Sequence, residues 1–170
     1  MNQPTHDRLK KSTILSGTAI DRHPSKVGYL LRRSVSISMQ TSASTYALVI
    51  DDHPLVAQGI EQLLMRIPPI DKVTMVSSAA DGLSAIASTG APLMVMMDFW
   101  LEEGSSTHFV TNILTLAPQT RVLMMSGDNH PTLAGKVRAA GAHGLVHKSC
   151  PPEQFMQVVK DLLGGAPWVE

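Results

Sequence analysis

The sequence predicts an α/β fold, a five-stranded parallel sheet with five helices covering both faces. Three observations predict it. Five short apolar runs alternate with five stretches of helical apolar spacing over about 120 residues, the pattern of repeated strand–helix units. The third and fourth runs, Leu93 to Met97 and Val122 to Met125, are apolar at every position, as central strands buried on both sides must be. Four of the five runs also end in a polar or charged residue, at the edge where open parallel sheets bind ligands.

The first run, Ala47-Leu48-Val49-Ile50, ends in Asp51-Asp52. Val56, Ile60, Leu63, Leu64 and Ile67 then share one helix face, and Pro68-Pro69 stop it. Lys72 to Val76 reads as a strand, and Ala80, Leu83, Ile86 and Ala87 as the second helical face. The third run ends at Asp98, followed by a helix bearing Phe109, Val110, Ile113, Leu114 and Ala117. The fourth ends at Ser126, followed by a short helix with Leu133, Val137 and Ala140. Gly144 to His147 forms the fifth, ending at Lys148. Phe155, Val158, Val159 and Leu162 mark the last helix, with Gly164-Gly165 as its stop.

The net charge of zero is an average of two unlike parts. Residues 1–44 hold seven Lys/Arg against two Asp/Glu, a balance of +5, and the remainder holds seven against twelve, a balance of −5. The basic stretch is rich in Ser and Thr and lacks periodicity, which predicts a disordered leader over 1–44. Met39 is an alternative start that would leave residues 1–38 upstream of the protein. A folded domain is expected over 45–168, with 169–170 as a tail or the start of a linker. One cysteine, Cys150, excludes an intrachain disulfide and suits a reducing, cytoplasmic setting. The apolar runs are far shorter than the roughly 20 residues of a membrane span. His143 and His147 flank a strand rather than share a helix face, so they do not make a zinc pair. The paired methionines of the third and fourth strands read as core filler.

The strand ends bring Asp51, Asp52, Asp98, Ser126 and Lys148 into one crevice. Each has an ordinary reading alone: Asp52 as a helix cap, Asp98 as a solvated loop residue, Ser126 as a turn former before Gly127, Lys148 as a surface lysine. Together they form a carboxylate cluster suited to a hard divalent cation such as Mg2+, with a hydroxyl and an ammonium beside it. One carboxylate of such a set can accept a phosphoryl group.

At these residues the chain resembles a bacterial two-component response-regulator receiver domain, over residues 46–168. The segments Val49-Ile50-Asp51-Asp52-His53-Pro54-Leu55-Val56 and Gly141-Ala142-His143-Gly144-Leu145-Val146-His147-Lys148, the latter followed by Pro152-Glu153, are similar to the LuxR-type branch. The resemblance implies the flavodoxin-like sheet order 2-1-3-4-5. It implies Asp98 as phosphoacceptor. Mg2+ would be held by Asp51, Asp52, Asp98 and the backbone carbonyl of Trp100. Lys148 would contact the phosphoryl group, and Ser126 would hydrogen-bond a phosphoryl oxygen and draw its loop inward. The implied partners are a sensor histidine kinase or phosphotransfer protein and a second copy of the chain.

Three positions depart from the family pattern. Leu145 stands where an aromatic residue often reports phosphorylation, and Glu102 where proline is common. Trp100 occupies a variable position, where its indole would shield an aspartyl phosphate from water. Two other functions compete. A phosphatase with an aspartyl nucleophile needs an acid two residues on, where Trp100 stands. A pure interaction module would retain the site without using it. A dinucleotide-binding fold would need a Gly-rich loop where Asp-Asp-His-Pro stands. LuxR-type regulators continue into a helix-turn-helix domain. The stretch from Gly164 to Glu170 resembles the start of the linker to it and holds no DNA-reading helix, so no direct DNA binding is expected of this chain.

Overall fold

A computed structural model describes residues 45–170; the leader expected over 1–44 lies outside the described residues. The chain runs through β1 (Tyr46–Ile50), α1 (Pro54–Leu64), β2 (Lys72–Val76), α2 (Ala79–Thr89), β3 (Met94–Asp98), β4 (Trp100–Leu101), β5 (Gly104–Ser105), α3 (Thr107–Leu116), β6 (Arg121–Ser126), α4 (Leu133–Ala139), β7 (Gly144–His147) and α5 (Pro152–Leu163). The main sheet has the order β2-β1-β3-β6-β7, and every pairing in it is parallel. This is the expected 2-1-3-4-5 order of the five long strands. The addition is an antiparallel hairpin of β4 and β5, with Trp100 opposite Ser105 and Leu101 opposite Gly104.

The alternation of the strands divides the core in two. Leu48, Ile50, Val95, Met97, Val122 and Met124 face α2, α3 and α4 through Ile86, Val110, Ile113 and Val137. Their neighbours Ala47, Val49, Met94, Met96, Leu123 and Met125 face α1 and α5 through Ile60, Leu64, Phe155, Val159 and Leu162. Helices therefore cover both faces, as the unbroken apolar strands require. Met94, Met96, Met97 and Met124 are all fully buried, consistent with their reading as core. Burying each such side chain contributes roughly 1.5–3 kcal/mol.

The helix ends follow their local chemistry. Pro54 and Pro152 occupy the first turns of α1 and α5, where a missing amide hydrogen costs nothing. Ser78 caps α2 by accepting from the Asp81 amide at 3.1 Å. After α5, Gly165 adopts φ +92°, its amide donates to Leu162 O and that of Ala166 to Asp161 O, closing the helix in a Schellman motif. The chain then turns back along the sheet edge. Val169 bridges Gly144 in parallel, donates to His143 O at 3.1 Å, and accepts from the Leu145 amide at 3.1 Å. Val169 is thus buried against β7 rather than trailing from α5. The approach is close: a Cβ on Gly144 would lie 2.4 Å from Val169 Cγ2 and 2.7 Å from Val169 O.

Candidate phosphoacceptor and cation site

The site sits where the parallel ladder runs out. Asp51 follows the last residue of β1, and its amide still donates to Val76 O of β2 at 3.1 Å. Asp98 closes β3 and Ser126 closes β6, and both are buried. Phe99 N donates to Met125 O and Lys148 N to Ser126 O, each at 2.7 Å, which extends the register one residue past the strands. The ladder therefore sets the separation of the functional groups.

Lys148 Nζ reaches back over β6 to Asp98 Oδ2 at 2.6 Å and lies 3.1 Å from Asp51 Oδ2. The second contact is a charge contact without hydrogen-bond geometry, since Asp51 Oδ2 is buried and has no hydrogen-bond partner. Asp51 Oδ1 accepts the His53 amide at 2.8 Å, a turn that starts α1. Trp100 N approaches Asp98 Oδ1 at 3.4 Å. Burial pushes the Asp98 carboxyl above the usual carboxylate range, with help from Asp51, and outweighs the opposing pull of Lys148. Burial also opposes the Lys148 charge, but contacts with Asp98 and Asp51 prevail and hold its pKa above the ordinary lysine value. One ammonium thus serves two buried carboxylates. It is well compensated while they are not.

The donor set fits a hard divalent cation. Asp51, Asp52, His53 and Asp98 each offer an atom within 4.8 Å of the others, and the buried Asp52 Oδ1, like Asp51 Oδ2, lacks a hydrogen-bond partner. The structure brings Asp51, Asp52, Asp98 and Lys148 together. Ser126 shares the rim, but its hydroxyl accepts the Asp128 amide at 3.0 Å and makes no hydrogen bond to Asp98 or Lys148. Leu145 and Ser126 both line an adjoining cleft of about 470 Å3, also bounded by Leu133 and His147. Glu102 and Glu103 form the exposed tip of the β4–β5 hairpin. Trp100 is 52 % exposed and meets the Phe99 ring edge-on.

Two residues near the site were not expected from the sequence. His53 places its ring against the aspartates, with Nδ1 2.8 Å from Asp52 Oδ1. Buried Ser106 stands at the N-cap position of α3, yet its hydroxyl donates to Asp98 O and so ties the helix start to the strand end. A serine preceding a helix signals a cap, and that competing signal conceals this use.

A five-stranded parallel α/β sheet with an acidic crevice and a lysine at its carboxyl edge defines a class of signalling domains, and comparisons place the chain within it. The response regulator receiver domain family profile matches residues 47–160, and the chain belongs to this family of signalling switches. Response regulator UvrY of Escherichia coli is 25% identical over 122 residues, covering 72% of this chain and 56% of UvrY. A solved LuxR-family two-component response regulator from Aurantimonas sp. is 27% identical with a TM-score of 0.64, covering 72% of this chain and 87% of that one. The receiver domain of the putative response regulator NarL from Mycobacterium tuberculosis, at 22% identity, shares the fold with a TM-score of 0.64 over 72% of this chain and 98% of its own. The chain resembles the receiver half of these regulators and spans about half the length of the curated relatives it matches. No helix among the described residues is long and apolar enough to cross a membrane.

Proposed function

We propose that this chain is a phosphoacceptor switch, with Asp98 receiving a phosphoryl group from a sensor histidine kinase or phosphotransfer protein in a Mg2+-dependent reaction. The observation that carries this reading is the Lys148 ammonium 2.6 Å from a buried Asp98 carboxylate, flanked by further carboxylate oxygens without partners. An Asp98 oxygen attacks phosphorus, the phosphorus–nitrogen bond of the donor histidine breaks, and the imidazole leaves with its electron pair. Asp51, Asp52, Asp98 and the Trp100 carbonyl would hold the cation. When bound, it neutralises the phosphoryl oxygens during transfer. Lys148 then moves its contact from the carboxylate to the phosphoryl group. Ser126 exchanges the Asp128 amide for a phosphoryl oxygen and draws the β6–α4 loop inward.

That exchange biases a two-state arrangement of α4, β7 and α5, the surface offered to a second copy or another partner. The cleft beside Leu145 gives the loop room to move without an aromatic reporter. Within a complete LuxR-type transcriptional regulator, DNA reading would belong to another part of the protein, and the setting would be cytoplasmic.

Incubation with Mg2+ and acetyl phosphate tests the reading. It expects an acid-stable, base-labile adduct on Asp98 that is missing from Asp98→Ala, and a changed self-association on modification. Faster adduct decay in Trp100→Ala is expected if the indole shields the phosphate. A wild-type protein that forms no adduct, yet binds partners as well as Asp98→Ala does, would make it an interaction module instead.

A further inference from the structure

We infer that the imidazole of His53 is an additional ligand at the cation site and biases it from Mg2+ toward first-row transition ions. The inference rests on the reading of the aspartate cluster as a divalent-cation site. Donor atoms sharing an octahedral ion at about 2.1 Å stand about 3.0 Å apart when adjacent and about 4.2 Å apart when opposite. His53 Nδ1 lies 3.1 Å from Asp51 Oδ1, 2.8 Å from Asp52 Oδ1 and 3.8 Å from Asp98 Oδ2. The first two separations are those of adjacent ligands, and the third falls between adjacent and opposite.

The contact with Asp52 is informative. At 2.8 Å it is short enough for a hydrogen bond, yet Asp52 Oδ1 is buried without a hydrogen-bond partner. The ring nitrogen makes its hydrogen bond to Asp51 Oδ1 at 3.1 Å instead, and an ion would replace that contact by taking the Nδ1 lone pair while the ring proton sits on Nε2. Lys148 shares only one atom of this donor set, Asp98 Oδ2. It is committed to the Oδ2 atoms of Asp51 and Asp98, while the short His53 contacts are to the Oδ1 atoms of Asp51 and Asp52.

The placement is built into the backbone. The His53 amide donates to Asp51 Oδ1 at 2.8 Å, and Pro54 follows in the first turn of α1, so the His53 Cα is fixed at the rim. Its side chain is 62% exposed and serves no part of the core. Mg2+ favours oxygen ligands and retains its water, whereas nitrogen ligation raises affinity along the first transition row. A histidine among three aspartates therefore tilts selectivity toward an ion such as Co2+.

Co2+ and Mg2+ titrations of the full chain by calorimetry, at one pH, test this in wild type and His53→Ala. The Co2+ over Mg2+ affinity ratio is expected to fall roughly tenfold in the variant, the scale of losing one supporting ligand interaction. Proton NMR of the Co2+-loaded wild type is expected to show a hyperfine-shifted, exchangeable imidazole N–H resonance that His53→Ala lacks. An unchanged ratio with no shifted ring resonance overturns the inference and leaves the aspartate site intact. Tighter binding of both ions to His53→Ala also overturns it, since the ring would then be a competitor for the cation's place. If wild type binds neither ion, the cation-site reading itself falls.

Discussion

At the amino ends of the strands, Tyr46 Oη donates to Gly90 O at 2.6 Å, Thr120 Oγ1 donates to Pro92 O at 2.7 Å, and His143 Nδ1 accepts the Val122 amide at 3.1 Å. At the carboxyl ends, Asp51 and Asp52 keep buried oxygens without hydrogen-bond partners, and one ammonium faces two buried carboxylates. The same sheet carries both edges. At the first, polar groups are closed off by backbone and serve the fold. At the second, carboxylate oxygens of Asp51 and Asp52 are left open, at a cost in stability, and are available to a ligand. Buried polar residues thus divide by whether the protein itself completes them.

Asp98→Asn should break this contrast most strongly. Phosphoryl incorporation should vanish, while the metal-free domain should gain stability at neutral pH. The folded state holds the Asp98 proton more tightly than the unfolded chain does, because burial raises its pKa. Wild-type stability therefore falls as pH rises from the ordinary carboxylate range through the folded value. Urea unfolding of both proteins between about pH 4 and 8 should show the variant's advantage widening with pH. A constant gap would mean that the carboxyl edge carries no such cost.

Gly144→Ala probes the closed edge. Its new methyl would meet Val169 Cγ2, Val169 O and Leu123 Cδ1 at 2.4, 2.7 and 2.8 Å, so neither the backbone nor the core has room. A loss of about 2 kcal/mol is expected in urea unfolding, with adduct formation retained and partial recovery when combined with Val169→Ala. Tyr46→Phe should cost about 1 kcal/mol by leaving Gly90 O without its donor, again with normal phosphorylation.

His143→Gln should have the smallest effect, visible only in acid. Burial, then the nearby Arg121 charge, holds the His143 pKa below its ordinary value. The unfolded chain takes up the proton first, so wild type loses stability as pH falls below about 6.5, and the variant should lose less. Equal acid slopes would remove His143 from the closed edge.

The strands and the principal site were legible for one reason. Runs such as Leu93 to Met97 are long enough to show that both faces are buried, and a parallel sheet then sends Asp98 and its counterparts to a single edge. The β4–β5 hairpin was not legible. Its strands are two residues each, too short for any period, and Glu102-Glu103 is not a recognisable hairpin turn; Gly104, at φ +106°, is its one local signal. The burial of Val169 was equally hidden, because it depends on the space left by Gly144, far away in sequence. In the sequence His53 stands out only as part of a motif. Its ring position follows from a two-residue turn on Asp51, which the spacing of apolar residues does not register.

The reach of Lys148 has a consequence for assembly. Its partners lie 50 and 97 positions earlier in the chain, and β6 stands between β7 and the strands that carry them. The contact can close only after the crossovers are complete and β6 has entered in register. A slip of one residue would exchange the facings of Met125 and Ser126. The Lys148 contact therefore exists only in the completed sheet. A cation bound there favours the folded sheet over the unfolded chain, by about 2.7 kcal/mol at a hundredfold excess over its dissociation constant.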